Sequence, residues 1–260
     1  MPNLSQSLVA SFARALNANK VPCVLWGHCL LGLHGVPSIV GSIDFVIPDD
    51  CLEAGAQALA RCIGLVPCTA PQSCVATSQE RHSQPPAYHA HVDGDAELTA
   101  GLYVQSETLW FLPPLDHLLL PPSCERDLPP YFALASDRAV FPPWRPGRGS
   151  GVLKSAADAV VAHKSHVLLE AYMRLFARDQ GKRVGSIGIS MIAYMHLYVD
   201  TDGFSDVNLL PEPFRTSYRE FHEGKKPIRQ WTWELKDALR LVGDGPYGKG
   251  VGLNSSELHI

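Results

Sequence analysis

The sequence predicts an α/β (α+β) protein in which a small lobe with a mixed sheet is followed by a helical lobe. Short apolar segments separated by glycine and proline fill the first 110 residues and are typical of strands. From about residue 155 onward, apolar residues recur at the spacing of helices. We therefore expect an α/β lobe over residues 1–144 and a helical lobe over residues 145–260 that packs on it.

The first half of the chain alternates predicted helices and strands. Gly27 and Gly35 mark the two ends of the second predicted helix, and Pro48 ends the strand that precedes the third predicted helix. Asp93-Gly94-Asp95 is a hairpin signal, whereas residues 67–86 are rich in Pro, Ser and Gln and predict a loop. The predicted helices cover residues 5–18, 28–34 and 49–62, and the predicted strands cover residues 21–26, 42–47, 88–92 and 98–110.

The second half of the chain is predicted to be helical. It begins with a connector at residues 129–150, where Pro and Gly are frequent, and it ends in a Gly-rich tail at residues 243–260. Between them, the predicted helices cover residues 155–178, 184–199, 213–223 and 231–242.

Composition is that of an ordinary globular protein, with 46% hydrophobic and 18% charged residues. The sequence contains no apolar run of about 18 residues, so no membrane contact is expected. The N-terminus lacks the basic segment and cleavage site of a signal peptide, and we expect a cytoplasmic protein. Nothing in the sequence indicates an obligate protein partner.

Seven cysteines show neither the CxxC spacing of a zinc site nor the even number of a disulfide framework. The sequence therefore predicts reduced, mostly buried thiols, with no metal and no cofactor. These cysteines are Cys23, Cys29, Cys51, Cys62, Cys68, Cys74 and Cys124.

Charge is unevenly distributed along the chain. Residues 1–144 carry 6 basic and 13 acidic side chains, and residues 145–260 carry 16 basic and 13 acidic ones. An acidic lobe beside a basic lobe suits a cationic substrate attached to a polyanion. A difference of this size is also common in proteins without such a ligand, and both interpretations stay open.

One set of motifs carries a family resemblance. A strand ends at Gly27, a short helix and the turn His34-Gly35-Val36-Pro37 follow, and the next strand contains Asp44. This order resembles the nucleotidyltransferase fold of small antibiotic- and toxin-type transferases. That resemblance implies Asp-x-Asp on the second strand, but Ser42 occupies the first position, and the later strand offers His89 and His91 where a third carboxylate is expected. Two-metal nucleotide transfer requires several carboxylates, so the sequence argues against a metal site there.

A second motif follows Pro48. Asp49, Asp50 and Glu53 match an Asp-Asp-x-x-Glu pattern, which resembles the arginine-containing cyclodipeptide synthases of fungi. The resemblance implies a natural-product enzyme that forms an arginine-containing cyclic dipeptide from arginyl-tRNA and a second aminoacyl-tRNA, with these three residues as catalytic residues. Aminoacyl esters are already activated, so the reaction needs orientation and a base rather than ATP or a metal. The same residues also match a helix-capping box, and that alternative stays open.

Further residues are predicted to surround this centre. Carboxylates and polar groups can hold an ammonium or guanidinium group, and basic side chains can contact the tRNA backbone. We expect substrate binding by Asp44, His28, Ser42 and Glu170, and tRNA binding by Lys164, Arg174, Lys182, Arg183, Lys225, Lys226 and Arg229.

Two alternatives remain from the sequence. The chain is either a nucleotidyltransferase that modifies a small molecule or RNA and depends on Mg²⁺, or a catalytically degenerate relative that only binds a partner. The first requires nucleotide binding, and the second requires no organised acidic pocket.

Overall fold

A computed structural model describes the protein at residues 4–78, 83–121, 123–154, 158–179, 181–182 and 185–242. Its strands form one seven-stranded mixed sheet in the order β3-β4-β5-β2-β1-β7-β6. The strands are β1 (Val24–Trp26), β2 (Ser42–Ile47), β3 (Leu65–Pro67), β4 (Tyr88–Val92), β5 (Asp95–Val104), β6 (Phe132–Leu134) and β7 (Val161–His163). The α/β fold predicted from the sequence is confirmed.

Helices precede, connect and follow the strands. The α-helices are α1 (Leu4–Ala18), α2 (Gly27–Leu33), α3 (Leu52–Ala60), α4 (Gln105–Thr108), α5 (Ser165–Arg178), α6 (Ser186–Tyr194), α7 (Phe214–His222) and α8 (Ile228–Val242). Helix α5 is buried over most of its length and contacts α6 and α8. The ring of Phe176 on α5 stacks on the ring of Trp231 on α8, with 6.0 Å between ring centroids.

The centre of the sheet is the strand–helix–strand unit that the sequence predicted. Strand β2 is antiparallel to β1, with Trp26 opposite Asp44, and parallel to β5, with Asp44 opposite Gly101. Gly27 connects β1 to α2 with a φ of 65°, in the left-handed region that glycine adopts without steric cost. The sheet therefore places Asp44 on its middle strand, beside the turn where α2 begins.

Several predicted elements differ from the structure. The helix predicted over residues 155–178 begins only at Ser165, because Val161–His163 pairs with β1 and β6 as a strand. The strand predicted over residues 98–110 ends at Val104, where α4 begins. Strands β3 and β6 were not predicted, since three residues are too few to show a periodicity.

The division into two lobes at residue 144 stays a prediction, although the sheet takes β7 from beyond that boundary. The predicted tail at residues 243–260 lies outside the described residues. Among the helices that the structure describes, none combines the length and the apolar character needed to cross a membrane.

Two buried histidines connect the central unit to β7. The ring of His34, at the end of α2, donates from Nε2 to the carbonyl oxygen of His163 at 3.0 Å. Burial lowers the pKa of His34 to about 4. Burial and, to a smaller extent, the charge of His34 lower the pKa of His163 to about 3. Both imidazoles are therefore neutral in the folded protein at neutral pH.

Because both histidines are buried in the neutral form, we expect the free energy of unfolding to fall as the pH is lowered. In the unfolded chain both histidines bind protons below about pH 6.5, whereas in the folded protein they do so only near pH 4 and below. The stability they contribute is therefore complete above pH 6.5 and is lost as pH falls towards 4, by about 1.4 kcal/mol per pH unit for each group. Urea unfolding between pH 7 and 4 measures this slope. In His34→Gln the slope should be smaller by one histidine's contribution, and identical slopes would contradict the prediction.

Candidate functional site

A small cavity opens at the middle of the sheet, below α5 and α6. We call it the inner cavity, and its volume is about 100 Å³. It is lined by carboxylates and by aromatic rings from five different elements, so the tertiary fold assembles it. The lining residues that matter here are Trp26, His28, Asp44, Tyr103, Tyr172 and Asp179.

Asp44 is a buried carboxylate in this cavity, with 4% of its surface exposed. The hydroxyl of Ser42 donates a hydrogen bond to its Oδ2 at 2.6 Å. Two glycines make room for the carboxylate, because a Cβ atom would lie 2.7 Å from Oδ2 if added at Gly27 and 2.4 Å from Oδ1 if added at Gly101. Larger residues at these two positions would collide with the carboxylate.

The charge of Asp44 affects its neighbours. Burial and, secondarily, the charge of Asp44 raise the pKa of the Cys29 thiol to about 12. The same two causes, in the same order, raise the pKa of the Tyr172 hydroxyl above its ordinary value. Both groups therefore stay neutral at neutral pH. The Trp26 and Tyr172 rings lie 5.8 Å apart and form an aromatic wall beside Asp44.

Asp179, at the end of α5, is the second carboxylate of the cavity. Its burial raises the pKa of the carboxyl, but hydrogen bonds from Arg178 and Lys182 outweigh that effect and hold the pKa below its ordinary value. Arg178 also donates to the carbonyl of Glu107 at 2.6 Å and to the side chain of Gln84 at 3.0 Å. These contacts fix the wall of the cavity between α5 and the segment before β4.

A wider depression of about 500 Å³ adjoins the inner cavity. We call it the outer groove. His28 and Ser42 line both spaces, so they mark the junction between them. The Nδ1 atom of His28 shares a hydrogen bond of 2.5 Å with the hydroxyl of Ser38, which fixes the orientation of the imidazole. Three of the predicted substrate-binding residues, Asp44, His28 and Ser42, are thus brought together.

The predicted catalytic residues Asp49, Asp50 and Glu53 lie elsewhere. All three are exposed, and they follow the opposite end of β2 from the cavity. Asp49 lies five positions beyond Asp44, which is roughly 16 Å at about 3.3 Å per strand residue. The expected common cleft with Asp44 is therefore not formed, and a catalytic role for the three residues stays a prediction.

Helix capping does not explain these residues either. Pro48 precedes the 3₁₀ turn Asp49–Cys51, and Cys51 precedes α3. Neither residue caps its helix with a side-chain hydrogen bond. Asp49 instead accepts hydrogen bonds from the backbone N–H of Ser106, at 3.1 Å, and from its hydroxyl. Asp49 thus connects the end of β2 to the first turn of α4.

Glu170 and Arg174 are buried on α5. Arg174 is 0% exposed, and its guanidinium carbon lies 4.7 Å from the ring centroid of Phe111 and 4.4 Å from that of Phe214. Glu170 accepts from Arg174 at 2.8 Å and is itself buried. The burial of Arg174 corrects the expectation that this side chain faces tRNA. Glu170 is not among the residues that line the inner cavity, and its role in substrate binding stays a prediction.

The other predicted tRNA contacts are scattered over the surface. Lys182 is exposed and pairs with Asp179 at the rim of the inner cavity, at 3.1 Å. Lys225 pairs with Glu223, and Lys226 pairs with Glu220 and Glu234. Lys164 is half-buried before α5, Arg229 is exposed on α8, and Arg183 lies outside the described residues.

Sequence reasoning missed Tyr172, Asp179 and Gly101. Tyr172 lies on a helix that the sequence predicts only from its apolar spacing, Asp179 directly follows that helix, and no local motif marks either residue. A third carboxylate was expected on β4, whereas β5 rather than β4 lies beside β2. On β5, Gly101 lies opposite Asp44 and Thr99 lies opposite Ser42.

Two groups of side chains in the described part of the chain have the geometry to hold a metal ion. One combines Cys68, Cys74, His89 and His91, and the other combines His196, Asp200 and His222. The expectation of no metal site stays a prediction, although the fold brings Cys68 and Cys74 next to two histidines.

Comparison with known proteins gives little. No family model matches the chain, and no curated protein matches it. A solved structure with some similarity is that of an antigenic nucleotidyltransferase-like protein from Paracoccidioides brasiliensis, with 15% identity over 89% of this chain and 92% of that one, at a TM-score of 0.43.

The glycines around Asp44 generate a prediction. Gly101→Ala would place a Cβ atom 2.4 Å from the carboxylate of Asp44 and displace it. We expect a loss of roughly 1–3 kcal/mol in the free energy of unfolding, typical of overpacking. Gly41→Ala is the matched control, because a Cβ atom there meets nothing within 4 Å. Urea denaturation of both variants measures the difference, and equal stabilities would show that Asp44 is not confined as described.

Proposed function

We propose that this protein is a transferase that binds the cationic part of an aminoacyl substrate against Asp44. In its specific form, the proposal is that it joins arginine from arginyl-tRNA to a second amino acid from another aminoacyl-tRNA and releases a cyclic dipeptide. The observation that supports it is the buried carboxylate of Asp44 among aromatic rings, in a cavity that shares His28 and Ser42 with the outer groove.

Several properties of the inner cavity favour a cation. The carboxylate of Asp44 lines the cavity, and a carboxylate attracts a cation and accepts charge-assisted hydrogen bonds from it. The faces of aromatic rings such as Trp26 and Tyr172 attract ammonium and guanidinium groups. A guanidinium also pairs with a carboxylate through two parallel hydrogen bonds. An arginine side chain satisfies all three requirements.

The sizes of the two spaces suit a substrate with a small head and a large body. Pockets that enclose a drug-sized ligand usually measure about 300–1,000 Å³. The inner cavity, at about 100 Å³, takes only a head group, and the outer groove, at about 500 Å³, takes what is attached to it. The inner cavity alone is smaller than the pockets that usually enclose a ligand as large as a nucleotide.

The proposed reaction is two successive aminoacyl transfers. In each, the α-amino nitrogen of one amino acid attacks the ester carbonyl of the other, an amide bond forms, and the ester bond to tRNA breaks. Each tRNA leaves with its terminal hydroxyl, and the second transfer closes the ring. The attacking ammonium must first lose a proton, and His28, at the junction of the two spaces, is placed to accept it.

Contact with tRNA is assigned to the rim of the cavity. Lys182 lies there and is exposed, so it can contact a phosphate near the acceptor end. The exposed Arg229 is a second candidate. Lys225 and Lys226 are further candidates, and like Lys182 they already pair with carboxylates.

Nucleotide transfer remains the alternative, with Asp44 as the metal ligand. Two Mg²⁺ ions need several carboxylates in near-octahedral arrangement. Ser42 and Gly101, the neighbours of Asp44 on β2 and β5, carry no carboxylate, and the second carboxylate of the cavity, Asp179, is already engaged by Arg178 and Lys182. That arrangement favours the proposal over the alternative.

Product analysis tests the proposal. The full-length chain is expressed in bacteria, and cyclic arginine-containing dipeptides are measured in the medium by mass spectrometry. Asp44→Asn keeps the shape of the side chain but removes its charge, and we expect product to fall by about 100-fold or more, as for loss of a reacting or positioning group. Thermal melting confirms that the variant is folded.

Asp50→Asn is the matched control, because Asp50 is exposed at the other end of β2. Product should persist in that variant if the inner cavity is the reaction centre. Loss of product in Asp50→Asn with retention in Asp44→Asn would move the centre to Asp49, Asp50 and Glu53. Absence of product from folded wild-type protein, with calorimetric binding of ATP, CTP or GTP in the presence of Mg²⁺, would favour nucleotide transfer.

A further inference from the structure

A cluster of two cysteines and two histidines lies at the edge of the sheet next to the outer groove. Each of Cys68, Cys74, His89 and His91 offers one ligand atom, and these four atoms all lie within 4.8 Å of one another. His89 is 4% exposed and the other three are half-buried. The cluster is therefore assembled in a partly desolvated place rather than on an open surface.

Two of the separations between these atoms are close to the edge of a coordination tetrahedron. Zinc binds sulfur at about 2.3 Å and imidazole nitrogen at about 2.0–2.1 Å, so adjacent sulfur and nitrogen ligands in a tetrahedral site lie about 3.6 Å apart. The Sγ atom of Cys74 lies 3.2 Å from Nε2 of His89 and 3.5 Å from Nε2 of His91. The four residues need only small adjustments to enclose one ion.

The fold explains why these residues meet. His89 and His91 alternate on β4, so their side chains point to the same face. Strand β3 pairs with β4, Pro67 opposite Ala90, and Cys68 follows it directly. Cys74 lies between two 3₁₀ turns, where its Sγ accepts from the backbone N–H of Ala76 at 3.4 Å.

We propose that Cys68, Cys74, His89 and His91 bind one Zn²⁺ ion in a closed, structural site. Two thiolates and two neutral imidazoles form a ligand set that zinc prefers, whereas Mg²⁺ and Ca²⁺ require oxygen ligands. The two thiols each release a proton on binding, so the ion and its ligands carry no net charge. All four positions are taken by protein side chains, which assigns the ion to structure rather than to catalysis.

The proposed zinc ion lies next to the candidate site and affects the residues that line it. The ligands enclose the segment from residue 68 to residue 91, which contributes Ser83 and Gln84 to the inner cavity. Cys74 and His91 themselves line the outer groove. Zinc binding thus holds in place the residues of this segment that line the inner cavity and the outer groove. The inference does not depend on the proposed reaction.

The experiment measures metal directly. The full-length chain is expressed without a histidine tag in zinc-supplemented medium, and zinc is determined by elemental mass spectrometry. About one zinc ion per chain is expected. Loss of even an outer partner of a metal ligand costs about 10- to 100-fold in affinity, so Cys74→Ser and His91→Gln should weaken zinc binding by about 100-fold or more.

Two control variants separate this site from adventitious binding. Cys62→Ser changes a half-buried cysteine outside the cluster, and His222→Gln changes the second histidine group, which includes His196 and Asp200. Both should keep their zinc. Loss of zinc in His222→Gln with retention in Cys74→Ser would overturn the proposal.

A titration of wild-type protein covers the case in which a variant does not fold. Folded protein stripped with a chelator is titrated with Co²⁺, and thiolate-to-cobalt charge-transfer bands with the visible bands of tetrahedral cobalt are expected. Zinc should displace cobalt and release about two protons per ion from metal-free protein near neutral pH. A folded wild-type chain that contains no zinc and develops no thiolate–cobalt bands would overturn the proposal.

Discussion

A carboxylate that is almost fully buried on the middle strand of a seven-stranded sheet is the constraint on which the rest of the site depends. Such a charge is tolerated only where hydrogen bonds and space are provided for it. The hydroxyl of Ser42 provides the hydrogen bond, and the missing side chains of Gly27 and Gly101 provide the space. Strand pairing on both sides of β2 brings these three residues to Asp44.

The surrounding elements then determine what this charge can contact. Helix α5 supplies Tyr172 to the aromatic wall, and Asp179 follows the helix at the rim of the inner cavity. Glu170 and Arg174 form a buried ion pair on the same helix. Arg178 joins the end of α5 to Gln84 and Glu107, so the wall before β4 is fixed from one side. The proposed zinc ion fixes that segment from the other side.

Much of the fold could be predicted from the sequence, because Gly27, the apolar strand from Ser42 and the helical spacing of α1 are local signals. The site was predictable only in part. Asp44, His28 and Ser42 share one local motif, whereas Asp179 and Gly101 reach them only through long-range packing. The exposed Asp49, Asp50 and Glu53 formed a conspicuous pattern without a shared cleft. Cys68 and Cys74 lacked a familiar spacing, although His89-x-His91 on a strand was a signal that two ligands share a face.

The proposed function requires the carboxylate of Asp44 to bind a guanidinium group. Calorimetric titration with the methyl esters of arginine and of citrulline tests this requirement, since citrulline keeps the shape of arginine and lacks its charge. Wild-type protein should bind the arginine ester at least about tenfold more tightly, a difference of about 1.4 kcal/mol, and Asp44→Asn should remove that preference. Equal affinities for the two esters in the wild type, or an unchanged preference in Asp44→Asn, would contradict the proposed function.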